Sequence, residues 1–333
     1  MQSRGLVSNS AKQKLILMVA AFAAVYIFWG STYLAIFFAV KTIPPFILAA
    51  TRFLIAGTIL YAVARVRADY EKPNFSHWKT SFIVGALLLL GGNGGVVLAE
   101  KYISSSLAAL LIAVEPFWVV LLSWLWLGRS RPNLKVTIGL ALGFIGVWLL
   151  ISGQIGEAGS QSSAMQFWSL VSLLIATFCW AAGSLFGVKS PVPKSSFLTA
   201  GMQMIAGGLL LLVASLIKGE WADFRPSEVA ASSWLGLGYL IVFGSLISYT
   251  AYSWLLKNAK PERVATYAYV NPLIAVVVGW LIGGDTLTGQ MLVGAGVIVG
   301  SVFLMTFQDK TKNSEATADE SIGPSGAAPT YST

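Results

Sequence analysis

An acidic and a basic side chain stand inside long apolar stretches of this 333-residue chain, where no water is at hand to hydrate them. Glu115 lies about eleven residues into its stretch, which at 1.5 Å per residue is roughly 16 Å deep. A carboxylate at that depth in a bilayer costs about 2.5–3.5 kcal/mol on insertion scales, so it must face a bundle interior and be either protonated or paired. Two roles suit it: binding a proton or a substrate ammonium, or acting as a buried structural hydrogen-bonding group. Pro116 follows it, and a proline within a helix removes a backbone donor and kinks the rod. Asn271 and Pro272 repeat the pairing, with Tyr267 one helical turn earlier on the same face. Asn271 offers donors and acceptors, which suits a zwitterionic ligand and equally a hydrogen bond between helices. Arg52 is roughly six residues, about 9 Å, inside another stretch. It can snorkel outward, pair with Glu100 or Glu115, or attract a substrate carboxylate. Trp29 and Tyr33 are four apart and share a helix face, as an aromatic wall for a substrate or as ordinary packing.

Asn93 joins these candidate pathway residues from the centre of Gly91-Gly92-Asn93-Gly94-Gly95, a run that predicts a loosened or broken helix, as a hinge or as a close packing seam. The inventory for catalysis is poor. The one histidine, His77, falls in a basic loop, and there is no HExxH, nucleophile elbow, P-loop or acidic metal cluster. No enzyme, no ATP-driven pump, and no cofactor or metal site is expected. The single cysteine, Cys179, lies in an apolar run, which leaves no disulfide framework.

The elements that must position these groups follow from composition. The chain is 56% hydrophobic and 11% charged, with a mean hydropathy of +0.73. That is too little polar surface for a water-soluble globule of this size. Continuous apolar runs fall at about 15–40, 46–66, 80–99, 104–127, 136–152, 167–188, 197–217, 233–254, 264–283 and 290–307. They predict an all-α polytopic membrane protein of ten transmembrane helices, because a bilayer core takes about 20 helical residues to cross. Barrel strands would alternate, and these runs do not. With the N-terminus in the cytoplasm, 17 Lys and Arg side chains fall on the cytoplasmic side and four on the other, with Arg52 inside a span. Both termini are therefore predicted to be cytoplasmic. The net charge of +8 belongs to these short loops and to anionic lipid, not to nucleic acid.

The halves also resemble each other. Trp29 matches Trp180 at an offset of 151, Ile55-Ala56-Gly57 matches Ile205-Ala206-Gly207 at 150, and Glu115-Pro116 matches Asn271-Pro272 at 156. Gly128 matches Gly284 at 156, and the GxxxG pairs Gly139/Gly143 and Gly296/Gly300 match at 157. Such pairs mark close helix contact, within the fold or at a homodimer interface. Five spans per half is an odd number, so the two repeats are inverted and a substrate site is expected near midplane between them. The expected segments are 1–14 cytoplasmic, 15–152 the first repeat, 153–166 a periplasmic linker, 167–307 the second repeat and 308–333 a disordered cytoplasmic tail.

The strings Phe28-Trp29-Gly30-Ser31-Thr32-Tyr33, Pro44-Pro45, Arg52-Phe53-Leu54, Gly91-Gly92-Asn93-Gly94, Ala99-Glu100, Tyr267-Ala268-Tyr269-Val270-Asn271-Pro272 and Gly283-Gly284-Asp285 carry a resemblance to the EamA-type branch of the drug/metabolite transporter superfamily. The likeness runs from about residue 20 to residue 307. It implies two inverted five-helix repeats around a central cavity, alternating access, and a bacterial inner membrane. Members often end the fourth helix of each repeat in Gly-Glu; here the second repeat has Gly284-Asp285 and the first Gly128-Arg129. The branch includes exporters of amino acids and related metabolites and importers of sugars. The expectation is a secondary exporter of a small metabolite such as an amino acid, with protons as a coupling ion. An uncoupled facilitator and a sugar importer are the alternatives.

Overall fold

In the computed structural model the described residues are 2–128, 134–155, 161–259, 261–284 and 288–306. They form ten helical rods: α1 (Gln2–Ala39), α2 (Pro45–Arg65), α3 (Phe75–Ala99), α4 (Ser105–Ile112, continued through Glu115–Leu127), α5 (Leu134–Ile155), α6 (Gln161–Lys189), α7 (Ser196–Ile217), α8 (Ala231–Asn258), α9 (Tyr267–Val278, continued through Gly279–Gly283) and α10 (Gly289–Thr306). Among the described residues there is no strand. Helices α1 to α4 and α6 to α8 are long and apolar enough to cross a membrane, and shorter apolar helices lie at Val270–Gly283 and Leu292–Ser301. Helix is the outcome that hydrocarbon imposes, since only intrasegment bonds can satisfy the amides.

The ends of the rods are written locally. Pro45 opens α2, where a missing N–H is no loss. Asn74 Oδ1 accepts from the His77 amide at 2.9 Å and Ser104 Oγ from the Leu107 amide at 3.3 Å, capping α3 and α4. Gly128 and Gly284, matched across the repeat, close α4 and α9 in the left-handed region at φ 63° and 75°.

Several expectations shift. Helix α1 begins at Gln2, so the expected N-terminal segment is helical from residue 2 and continuous with the first rod. His77 sits in the first turn of α3 and not in a loop, because the Asn74 cap starts the helix there. Much of the expected linker 153–166 is helical, since α5 runs to Ile155 and α6 starts at Gln161. Arg129, Asp285 and the tail 308–333 lie outside the described residues. Helix α3 is not broken at its glycines: Gly85–Asn93 winds as π-helix and Gly94–Ala99 resumes the α-helix. Gly91, Gly92 and Gly95 form a seam with α6, where a Cβ on Gly91 would stand 2.9 Å from Cys179 Sγ and one on Gly92 2.8 Å from the Trp180 ring. Helix α8 has a π stretch at the equivalent place, Leu240–Tyr249. Between α5 and α10 the close contacts are made by Gly143 against Ser301 and Gly146 against Ile298, while Gly296 and Gly300 face open space. Among the described residues the second GxxxG pair therefore makes no packing seam. Gly296 instead lines an apolar groove of about 340 Å³ beside Pro272.

Helices α2 and α7 cross at the centre, one from each half. A Cβ on Gly57 would meet Met204 Cβ at 2.8 Å and the Ile205 amide nitrogen at 2.9 Å. A Cβ on Gly201 would meet the Tyr61 nitrogen at 2.8 Å. Carboxylates from opposite halves hold the crossing at both ends. Glu220, which follows α7, accepts at Oε2 from the Phe46 and Ile47 amides at the start of α2, both at 3.0 Å. Glu71, which follows α2, accepts from the Lys194 amide just before α7 at 3.0 Å. The exchange is reciprocal, as an inverted repeat requires. Because backbone cannot yield at the crossing, Gly57→Val is expected to destabilise the protein by about 1–3 kcal/mol through overpacking. A thermal melt of the detergent-solubilised variant with an unchanged midpoint would contradict this close contact.

Candidate functional site

The rods enclose a central cavity of about 70 Å³. Trp29 and Tyr33 of α1, Arg52 of α2, Asn93 of α3, Glu115 of α4, and Tyr267 and Asn271 of α9 all line it, with Thr177 and Trp180 of α6 and Tyr249 of α8. Seven residues picked out of 333 by type and depth thus meet at one place between the halves. The volume is well below the roughly 300 Å³ at the lower end of ligand pockets, so the cavity must widen to take a metabolite.

Glu115 is 2% exposed. Helix α4 is interrupted by a tight turn at Ala113 and Val114, and Glu115 opens the second segment, Glu115–Leu127. Pro116 therefore stands in the first turn of that segment, where its absent N–H is not needed, and not within an unbroken helix. A carboxylate at this position also lies at the positive end of the segment's dipole. Tyr267 Oη donates to Glu115 Oε2. Tyr267 itself opens α9 after the short helix Pro261–Val264, so segment starts from both halves converge on one hydrogen bond. Pro272 lies inside α9.

Arg52 is 3% exposed, so it does not snorkel. Nor does it pair with Glu115. Its Nε donates to Ser245 Oγ at 2.7 Å, and its guanidinium lies 4.7 Å from the Phe53 ring centroid. Nη1 is buried without a hydrogen-bond partner. Nη2 occupies space that only a glycine leaves, since a Cβ on Gly244 would stand 2.6 Å from it. Ser245 and Gly244 both belong to the π stretch of α8, and Asn93 ends the matching stretch of α3. Asn93 Oδ1 is likewise buried and unpartnered. The cavity therefore holds one cationic N–H group, Arg52 Nη1, and one neutral acceptor, Asn93 Oδ1, that no protein group satisfies, beside a carboxyl that accepts from Tyr267.

The aromatic wall is wider than Trp29 and Tyr33. Trp29 meets Trp180 edge-on at 5.4 Å, Tyr267 at 5.2 Å and Tyr252 at 5.0 Å, and its Nε1 donates to Gly244 O at 3.0 Å. Asn271, with its amide turned as its neighbours require, donates to the carbonyls of Tyr26 at 2.9 Å and Tyr267 at 3.2 Å. It ties α9 to α1 at the cavity edge. Sequence reasoning passed over Tyr249, Tyr252, Gly244, Ser245 and, except as the repeat mate of Trp29, Trp180. A signal was present in the tyrosines: a phenol in a membrane span needs a polar partner, and two of them three residues apart share a face.

The EamA-like transporter family matches the chain twice, over residues 15–152 and 167–307. The chain is 36% identical over 295 residues to the inner membrane transporter YedA of Escherichia coli (strain K12), across 88% of this chain and 92% of that protein. It is 27% identical over 299 residues to the transporter YvbV of Bacillus subtilis (strain 168), across 88% and 93%. Protein PecM of Dickeya dadantii (strain 3937) is 28% identical over 299 residues, across 85% and 92%. A crystal structure 18% identical in sequence superposes with a TM-score of 0.62 over 89% of this chain and 98% of that one, a likeness of fold.

Proposed function

The chain belongs to the EamA-like transporter family, and from that membership we propose that it exports a small zwitterionic metabolite of the amino-acid class by alternating access. The observation that carries this reading is the pairing of opposite chemistries in one buried cavity: Arg52 Nη1 without a partner on one wall, Glu115 on another. A substrate carboxylate satisfies the guanidinium, and a charge-assisted bond of that kind is stronger than a neutral one. A substrate ammonium, or a proton moving against it, occupies Glu115, with Tyr267 holding the carboxyl in place. Asn93 Oδ1 takes a further donor. Trp29 and Tyr33 face the ligand body, Asn271 keeps α9 against α1, and the break ahead of Glu115-Pro116 together with Pro272 inside α9 supplies the bend that opens the cavity. The inner membrane is the setting, as for the E. coli relative, and the excess of Lys and Arg on one side of the spans supports both termini in the cytoplasm.

Efflux from proteoliposomes loaded with radiolabelled amino acids, with and without a pH gradient, tests the reading. Saturable efflux of one amino-acid class, quickened by the gradient and supporting counterflow, is expected. No flux across the panel overturns the amino-acid assignment, and flux without saturation or counterflow overturns alternating access in favour of a facilitator.

A further inference from the structure

A second and larger cavity, of about 280 Å³, lies between α3, α6, α7 and α8. Its lining runs to Val188 and Val192 at one end of α6 and to Lys257 at the end of α8, the face of the fold whose loops carry the basic excess. The wall between the two cavities is one layer of side chains. Tyr252 lines the second cavity, while its ring packs on Trp29 and, edge-on at 5.8 Å, on Tyr267, both of which line the first. Tyr249 lines the first cavity, and its Oη donates to Gln203 Oε1, in the second, at 3.0 Å. The Tyr252 hydroxyl bonds Ser184 Oγ at 2.6 Å, from α8 to α6. Both tyrosines are 2% exposed. Two hydrogen-bonded pairs between helices thus stand between one cavity and the other.

The charge of the second cavity has a sign. Lys257 Nζ bonds the carbonyls of Pro193 at 2.7 Å and Lys194 at 3.2 Å and Thr199 Oγ1 at 2.8 Å, all uncharged acceptors. Among the described residues Lys257 is the charged side chain of the lining, and Glu71, whose carboxylate also acts on it, stands outside the lining and accepts from the Lys194 amide. Ser184, Thr199, Gln203 and Ser253 add neutral polar groups to the lining. Field lines from a cation concentrate in a low-dielectric cleft and raise the local concentration of anions.

We propose that this second cavity is a cytoplasmic antechamber that gathers small carboxylate-bearing solutes, and that Tyr252 with Ser184 is the latch admitting them to the central cavity. The proposal rests on the central cavity being the cargo site, but its test needs no cargo. In a Cys179→Ala background, Ser253→Cys reports on the antechamber and Thr32→Cys on the central cavity, which Thr32 lines. Inside-out vesicles are treated with membrane-impermeant methanethiosulfonates, one bearing a sulfonate and one a trimethylammonium group. Ser253→Cys is expected to react from this face, several-fold faster with the sulfonate reagent, and Lys257→Gln removes that preference. Thr32→Cys is expected to react slowly, and Tyr252→Phe and Ser184→Ala each raise its rate roughly fivefold, the equivalent of one lost hydrogen bond. The Ser253→Cys rate, unchanged in both latch variants, certifies that they are folded, and either variant alone suffices. A silent Ser253→Cys, or a preference for the cationic reagent, overturns the antechamber. Equal Thr32→Cys rates with and without the latch overturn the gate. A labelling pattern as expected beside a flat amino-acid efflux panel would refute the cargo and leave the antechamber standing.

Discussion

Proteoliposomes carrying Glu115→Gln are expected to lose the acceleration of efflux by a pH gradient, and saturable transport should weaken by about tenfold to a hundredfold. The range is that of one hydrogen bond to a charged group, about 1.5–3 kcal/mol. The substitution is isosteric, and the amide oxygen can still accept from Tyr267 Oη, so the junction of α4 and α9 keeps its shape. What disappears is the capacity to carry charge or exchange a proton at a site 2% exposed and deep in the fold. The measurement is initial efflux rate against internal pH for wild type and variant. Normal rates with an unchanged pH profile would assign Glu115 to structure alone and leave the gradient to act elsewhere. Tyr267→Phe separates the two parts of the pair, since it removes the donor and leaves the carboxyl.

Arg52→Met gives the second large effect, and it runs in opposite directions for function and stability. A buried guanidinium with an unpartnered Nη1 carries a desolvation penalty of about 1–3 kcal/mol, and replacing a buried charge by an apolar side chain of similar length is often neutral or stabilising. The detergent-solubilised variant should therefore melt at or above the wild-type temperature, while saturable transport of a carboxylate-bearing substrate falls at least tenfold. Gly244→Ala should move transport the same way by a smaller amount, because its Cβ would stand 2.6 Å from Nη2 and push the guanidinium off Ser245. Lower stability of Arg52→Met with unchanged transport would make the arginine a structural tie between α2 and α8. Sites under functional selection commonly carry such local instability, because a preformed ligand group must wait unsatisfied until the ligand arrives.

The sites of these two predictions were legible in the sequence for one reason. A charge in hydrocarbon is expensive wherever its neighbours lie, so Glu115 and Arg52 announce themselves from depth alone. The same one-dimensional logic covers the ten apolar runs, whose length is set by the bilayer, and the inverted repeat, which follows from matched landmarks and an odd number of spans. Trp29, Asn93, Tyr267 and Asn271 were reachable as polar or aromatic exceptions inside those runs.

Partnership was not legible, because it depends on which faces meet across 150 residues or more. Arg52 finds Ser245 rather than a carboxylate, and Tyr267 reaches Glu115 from the opposite half. In sequence, Ser245 and Gly244 look like ordinary small residues of a span, and Tyr249 and Tyr252 like ordinary packing. The π winding of α3 and α8 was hidden too: glycines flag backbone freedom but do not say whether a helix breaks or widens, and the neighbouring helix decides. Identical GxxxG spacings end differently for the same reason, with Gly143 against Ser301 and Gly296 beside an open groove. By itself the sequence determined what each segment must do to survive in lipid, a cost each residue bears alone. Only the tertiary structure decided which polar groups satisfy one another, which remain unsatisfied, and where two cavities meet, because those are properties of pairs of surfaces brought together by packing.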